Sequence, residues 1–171
     1  MIRIEPGSRI LISACLAGCK CNYRASAASI YAADASFWNS LFARYRLLTV
    51  CPEQLGGMPT PRIPCELQAS SESVLAGCGK VVNRNDEDMT ACFIRGAEET
   101  LRLAELHAAD FVVLKSRSPS CGVDEVYDGT FSGRLLPGSG VTARLLSNSG
   151  FVLLDEVEFL KSLGVQLIPV D

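Results

Sequence analysis

A single histidine in 171 residues leaves little room for imidazole chemistry, whether as a general base or as a histidine-rich metal site. That residue, His107, falls in the last turn of a predicted helix, where the dipole favours a partial positive charge, and it is assigned no role. Basic residues are also scarce. Sixteen Lys and Arg stand against nineteen Asp and Glu, for a formal charge of -3 and a pI near 5.2. A protein that tracks a phosphate backbone needs a basic face, so polymeric nucleic acid is not expected as a partner. No apolar run approaches the length of a bilayer span, and Met1 to Gly7 shows neither the apolar core nor the cleavage site of a signal peptide. The expectation is a cytoplasmic protein without a membrane partner.

Cysteine, by contrast, is plentiful, at eight residues. Disulfides persist mainly in oxidising compartments, so these thiols point to metal or thiol chemistry. Cys78 and Cys92 sit among apolar neighbours and read as small buried hydrophobes, while Cys65 stays undecided. The other cysteines follow a pattern. Phe111-Val112-Val113-Leu114 has the continuous apolar character of a buried parallel strand and leads through Lys115 and Ser118 to Cys121. Ile10 to Ala14 leads likewise into Cys15, and Leu47 to Val50 into Cys51-Pro52-Glu53. Open α/β sheets bind ligands beyond the carboxyl ends of their strands.

Between these strands the chain alternates. Phe37, Trp38, Leu41 and Phe42 form a helical apolar stripe within Ala25 to Arg44. Three prolines and two glycines make Gly56 to Pro64 irregular. Val74-Leu75-Ala76 and Lys80-Val81-Val82 suggest a short hairpin or bulged strand. Asp86-Glu87-Asp88 opens a helix to about His107, with Met89, Cys92, Phe93, Gly96, Ala97, Thr100, Leu101 and Ala104 on one face. Asp128-Gly129 signals a hairpin turn. Gly138 to Thr142 opens a further helix whose amides are a candidate anion site. A strand at Phe151 to Leu154, a short helix through Leu160 and a last strand at Val165 to Pro169 close the chain. The length suits one domain over residues 1–171. The fold class expected is α/β: a single-domain, Rossmann-like three-layer sandwich with a mostly parallel sheet.

Three chemistries are open to cysteines gathered at one edge. Zinc draws ligands from paired knuckles, and Cys19-Lys20-Cys21 is too tight for one. A nucleophilic cysteine needs a base, for which Glu53 is the candidate. Three isolated thiolates suit an iron–sulfur cluster better, and would leave one iron open to act as a Lewis acid.

Ile12-Ser13-Ala14-Cys15-Leu16-Ala17-Gly18, Cys51-Pro52-Glu53-Gln54-Leu55-Gly56-Gly57 with Pro61-Arg62, Ser118-Pro119-Ser120-Cys121-Gly122 and Tyr127-Asp128-Gly129-Thr130-Phe131-Ser132-Gly133 together resemble the bacterial family known as domain of unknown function 523. Its characterised branch is the thiouracil desulfurases. The resemblance implies a 4Fe-4S cluster bound by Cys15, Cys51 and Cys121, with a thiolated pyrimidine base, nucleoside or nucleotide as the small-molecule substrate. It implies Glu53 as the proton-transferring carboxylate, for which burial can raise a glutamate's pKa toward neutrality. Ser118 matches the catalytic serine, with Ser120 as the fallback. A non-catalytic iron–sulfur or thiol module for redox sensing or sulfur transfer is the alternative. The chain departs from the family at Tyr23-Arg24-Ala25, where aspartate and glycine commonly follow the tyrosine; Arg24 there would favour a charged ligand such as a nucleotide phosphate. Cys19 and Cys21 are close enough in sequence to Cys15 to replace it.

Overall fold

The computed structural model describes residues 2–28 and 35–165. The chain runs through β1 (Arg9–Ser13), α1 (Ala35–Arg44), β2 (Arg46–Val50), the single turn α2 (Pro52–Leu55), β3 (Cys65–Leu67), α3 (Ser71–Leu75) and β4 (Val81–Asn83). It continues with α4 (Thr90–His107), β5 (Phe111–Leu114), β6 (Glu125–Tyr127), β7 (Leu135–Pro137), α5 (Val141–Asn148), β8 (Leu153–Asp155) and α6 (Glu156–Ser162). Four of these strands make one parallel sheet in the order β2-β1-β5-β8.

Successive side chains of a strand point to opposite faces, and this sheet buries both. Ile10, Ile12, Val113 and Leu154 face one layer with Leu41 of α1 and Phe159 of α6. Leu11, Val112 and Leu114 face the other, with Ala104 of α4 and Ala143 and Leu146 of α5. Burying an aliphatic side chain of this size is worth roughly 1.5–3 kcal/mol. Helices therefore cover both faces, as the alternation of elements implies. A third cluster, which includes Leu67, Val81, Phe93 and Val126, joins α4 to two small antiparallel ribbons, β3-β4 and β6-β7.

Several local expectations need correction. Val74 and Leu75 belong to α3, not to a hairpin strand; the Ser70 hydroxyl caps that helix by accepting from the Ser73 amide, and β4 pairs with β3. Cys78 lies exposed in the turn between α3 and β4 rather than buried, and Cys65 is buried at the head of β3. Asp86 has a φ of 61°, so the acidic triplet forms a turn and α4 begins at Thr90, whose amide donates to the Asp88 carboxylate (3.0 Å). Phe42 is 49% exposed and lies outside the core stripe of α1. The hairpin at Asp128-Gly129 is present, but its loop runs from Asp128 to Arg134. His107 is a tether, its Nε2 lying 2.8 Å from the Arg46 carbonyl. Part of the segment between Ala25 and α1, and the predicted strand past Val165, lie outside the described residues. Among the described residues no helix is long and apolar enough to cross a membrane.

Candidate active site

β1 and β2 end side by side: Ser13 stands opposite Val50, and the Ala14 amide donates to the Val50 carbonyl (2.7 Å). Cys15 and Cys51 thus leave the sheet together. Cys121 follows β5, on the other side of β1. Between β1 and β5 the winding of the chain reverses, and this switch point is where open α/β sheets form their crevices.

The Cys121 loop is held by distant parts of the chain. Glu156, 3% exposed, accepts from the Ser116 amide (2.7 Å), the Ser116 hydroxyl (2.7 Å) and the Lys115 ammonium (2.9 Å). The Lys115 amide donates to the Ser13 hydroxyl (3.1 Å). Ser118 Oγ accepts from the amides of Ser120 (3.2 Å) and Cys121 (3.1 Å). At the start of α5, Val141 donates to the Pro119 carbonyl, and Thr142 and Ala143 donate to that of Ser120. The predicted anion site at this helix start is therefore corrected: its free amides grip the cysteine loop. Gly140 permits that approach, since a Cβ there would lie 2.3 Å from the Ser120 carbonyl carbon.

Cys51 stands in extended conformation just before α2, whose first residue is Pro52, so no amide hydrogen bond is lost. The α2 turn rests backbone to backbone on α4. A Cβ on Gly56 would meet the Cys92 carbonyl oxygen at 2.1 Å, and one on Gly96 the Pro52 oxygen at 2.1 Å. Beyond α2 the irregular loop, with a cis Thr60–Pro61 peptide, returns Arg62 to the site. Its Nε donates to Glu53 Oε2, in an ion pair whose side chains are 5% and 15% exposed. Nη1 reaches the Cys21 carbonyl (3.0 Å), and Nη2 points to the Cys51 sulfur (3.9 Å). Burial of Glu53, the feature expected from sequence, thus comes with a buried cation as partner.

The first loop supplies Cys15 and, less expectedly, Cys21. Cys21 is 4% exposed and its thiol contacts those of both Cys15 and Cys51, whereas Cys19 is exposed. Arg24 is also exposed and lies over the Tyr23 ring (5.0 Å). The contact with the Cys15 thiol, together with burial, pushes the Cys21 thiol up to about 11. The Cys21 contact and burial push the Cys51 thiol up, against the pull of Arg62. Burial pushes Cys121 up to about 12, opposed by the hydroxyls of Ser13 and Ser118, with Glu53 and Cys51 adding to the rise. These three thiols hold their protons at neutral pH, so a metal binding any of them must release protons.

Cys15, Cys51 and Cys121 are soft donors from three separate loops, as iron–sulfur ligation requires. Among the described residues no three His, Cys, Asp or Glu side chains are placed to hold a single metal ion. A group with several metal atoms, each taking one thiolate, accepts a wider spread of donors than one ion does. The donor set fits a cluster. A cavity of about 300 Å³ lies between α3 and the β6-β7 ribbon, and none of these residues lines it.

The model of the 2-thiouracil desulfurase family matches residues 10–158. The chain belongs to that family. It is 42% identical over 150 residues to the uncharacterised protein YbbK of Bacillus subtilis (strain 168), across 87% of this chain and 96% of the relative. The solved structure of the 4Fe-4S-dependent thiouracil desulfidase TudS superposes with a TM-score of 0.79 at 35% identity, covering 91% of this chain and 95% of that one. The family expected from the motifs is thus the family found. Sequence reasoning placed the three cysteines, Glu53 and Ser118 at one edge, and the structure brings them there. It gave no part to Arg62, Ser13 or Glu156. For Arg62 the signal was the Pro-Arg pair after the glycine turn; for Glu156, some 40 residues from its partners, local sequence carries none.

Proposed function

We propose that the chain hydrolyses the carbon–sulfur bond of a thiolated pyrimidine, as base, nucleoside or nucleotide, using a 4Fe-4S cluster held by Cys15, Cys51 and Cys121. The observation that carries the reading is the arrival of three thiols, from the ends of three adjacent strands, beside the Glu53–Arg62 pair. When bound, the cluster supplies a Lewis-acidic iron without a protein ligand, able to take a thiocarbonyl sulfur. The chain's own residues handle protons and orientation. Arg62 engages Glu53 Oε2, which leaves Oε1 to take a proton from the attacking water and return it to the departing sulfur. Thiocarbonyl and water become carbonyl and hydrogen sulfide, so the reaction needs neither oxidant nor reductant. Ser118, whose hydroxyl, like that of Ser13, lies against the Cys121 thiol, is the serine of the cysteine loop in reach of the sulfur chemistry. Ser120 is 1% exposed, with its carbonyl bound by α5, and is the second candidate. A cytoplasmic setting is part of this proposal, since it keeps such thiols reduced.

The test is anaerobic reconstitution with iron and sulfide, followed by iron counting and titration with 2-thiouracil and 4-thiouridine. The native chain should bind four irons and release sulfide. Glu53→Gln should keep its iron yet turn over about 10²–10⁴-fold more slowly, the usual worth of general acid–base catalysis. A native chain that binds the cluster and releases no sulfide from either compound would point to the redox-sensing or sulfur-transfer alternative.

A further inference from the structure

We propose that Arg62 is a positioning residue that couples the proton-carrying carboxylate to a cluster ligand: one guanidinium orients Glu53 and donates to the Cys51 sulfur. The proposal rests on the desulfurase reading, which gives Glu53 and Cys51 their roles. Its basis is geometric. The Arg62 side chain is 5% exposed and each of its nitrogens is engaged. Nε serves Glu53 Oε2; Nη1 serves the carbonyls of Cys21 (3.0 Å) and Pro59 (3.2 Å) and the Thr60 hydroxyl (3.3 Å); Nη2 serves the Cys51 sulfur (3.9 Å). The planar fork fixes these directions relative to one another, which a lysine's single ammonium cannot do. One further bond ties the same residue to the first cysteine loop, its amide donating to the Tyr23 carbonyl (2.9 Å) beside the Nη1 bond to Cys21.

Two consequences follow from this placement. Glu53 cannot rotate away from the thiols without abandoning a buried cation, so Oε1 keeps a fixed bearing on the reacting sulfur. An N–H donor on a ligand sulfur also withdraws charge from it, and hydrogen bonds to cluster sulfurs are a lever on reduction potential. A salt bridge that merely braced the fold would produce the first effect only through misfolding and would not produce the second.

The experiment compares native protein, Arg62→Lys and Arg62→Met, each reconstituted anaerobically. Iron per chain, the potential of the substrate-free cluster and kcat and KM for sulfide release from 2-thiouracil are read. Expected for Arg62→Lys is native iron content, a more negative potential, and a kcat lowered about 10–100-fold at unchanged KM, the range typical of groups that orient a metal ligand. Arg62→Met should shift both in the same direction; should it fail to fold, Arg62→Lys decides. An iron-loaded Arg62→Lys with native potential and native kcat overturns the proposal. If instead the native chain releases no sulfide while the potential still shifts in the variant, the desulfurase reading falls and the Arg62–Cys51 link stands.

Discussion

The cysteine loops that follow β1 and β5 are built in opposite ways. Residues 115–122 bond outward, to Ser13, to Glu156 and to the first amides of α5, partners drawn from far along the chain. Residues 15–28 bond largely to themselves: Asn22 accepts from the amides of Arg24 and Ser26, and the Ala28 amide closes the loop on the Cys15 carbonyl. Two of their ties to the rest of the site go through Arg62. Cys121 is thus placed by the fold itself. The Cys21 carbonyl, by contrast, is held from outside its loop by the Arg62 side chain, which also pairs with Glu53, and by the Cys51 thiol (3.7 Å). Local hydrogen bonds shape a loop, and distant ones place it.

That contrast can be broken from the Cys121 side first. Glu156→Gln removes the acceptor for a half-buried ammonium and for Ser116, and should cost about 3 kcal/mol, the lower end for breaking a buried pair, as measured by denaturant unfolding. Burial pushes the Glu156 carboxyl up, but Lys115 and Ser116 outweigh it and hold it below the usual carboxylate range. Its stabilisation is therefore complete above the unfolded pKa and is lost as pH falls through the lower folded value. The gap between native and Glu156→Gln should close on acidification, and a gap that widens would refute the assignment. Gly140→Ala should come next, since the new Cβ overlaps the Ser120 carbonyl; about 2 kcal/mol of overpacking strain and a reduced iron content are expected.

On the other loop, Arg62→Met should speed amide hydrogen exchange across residues 15–28 while leaving 115–122 as protected as before. Equal loosening of both loops would erase the distinction. The smallest effect belongs to Cys19→Ala, at an exposed thiol, which should change stability by less than about 0.5 kcal/mol and leave the iron count at the native value.

What could be read in advance follows the same division. β1, β2 and β5 announce themselves as short apolar runs that lead into cysteine-bearing loops, and strand–helix alternation dictates the parallel sheet. Short elements without a resolved period misled: Val74-Leu75 fits strand or helix equally, and only the Ser70 cap decides. Phe42, four residues after Trp38, fits the helical stripe by spacing, yet it is exposed at the margin of that stripe. The anion site at Gly138 to Thr142 was a sound reading of free amides, but their acceptor is the chain's own Ser120. The Pro-Arg pair marks Arg62 but not its reach to Cys21, 41 residues away, and no local pattern ties Glu156 to Ser116, 40 residues away.

The Gly56–Gly96 contact has a bearing on how this site tolerates change. Most packed surfaces adjust by exchanging one side chain for another of similar bulk. Here two peptide planes touch with nothing interposed, so there is no intermediate setting. The axis of α4 acts as a gauge block against which the Cys51 turn is set, and a library of variants at either glycine should sort into two classes, native and collapsed, with few members between.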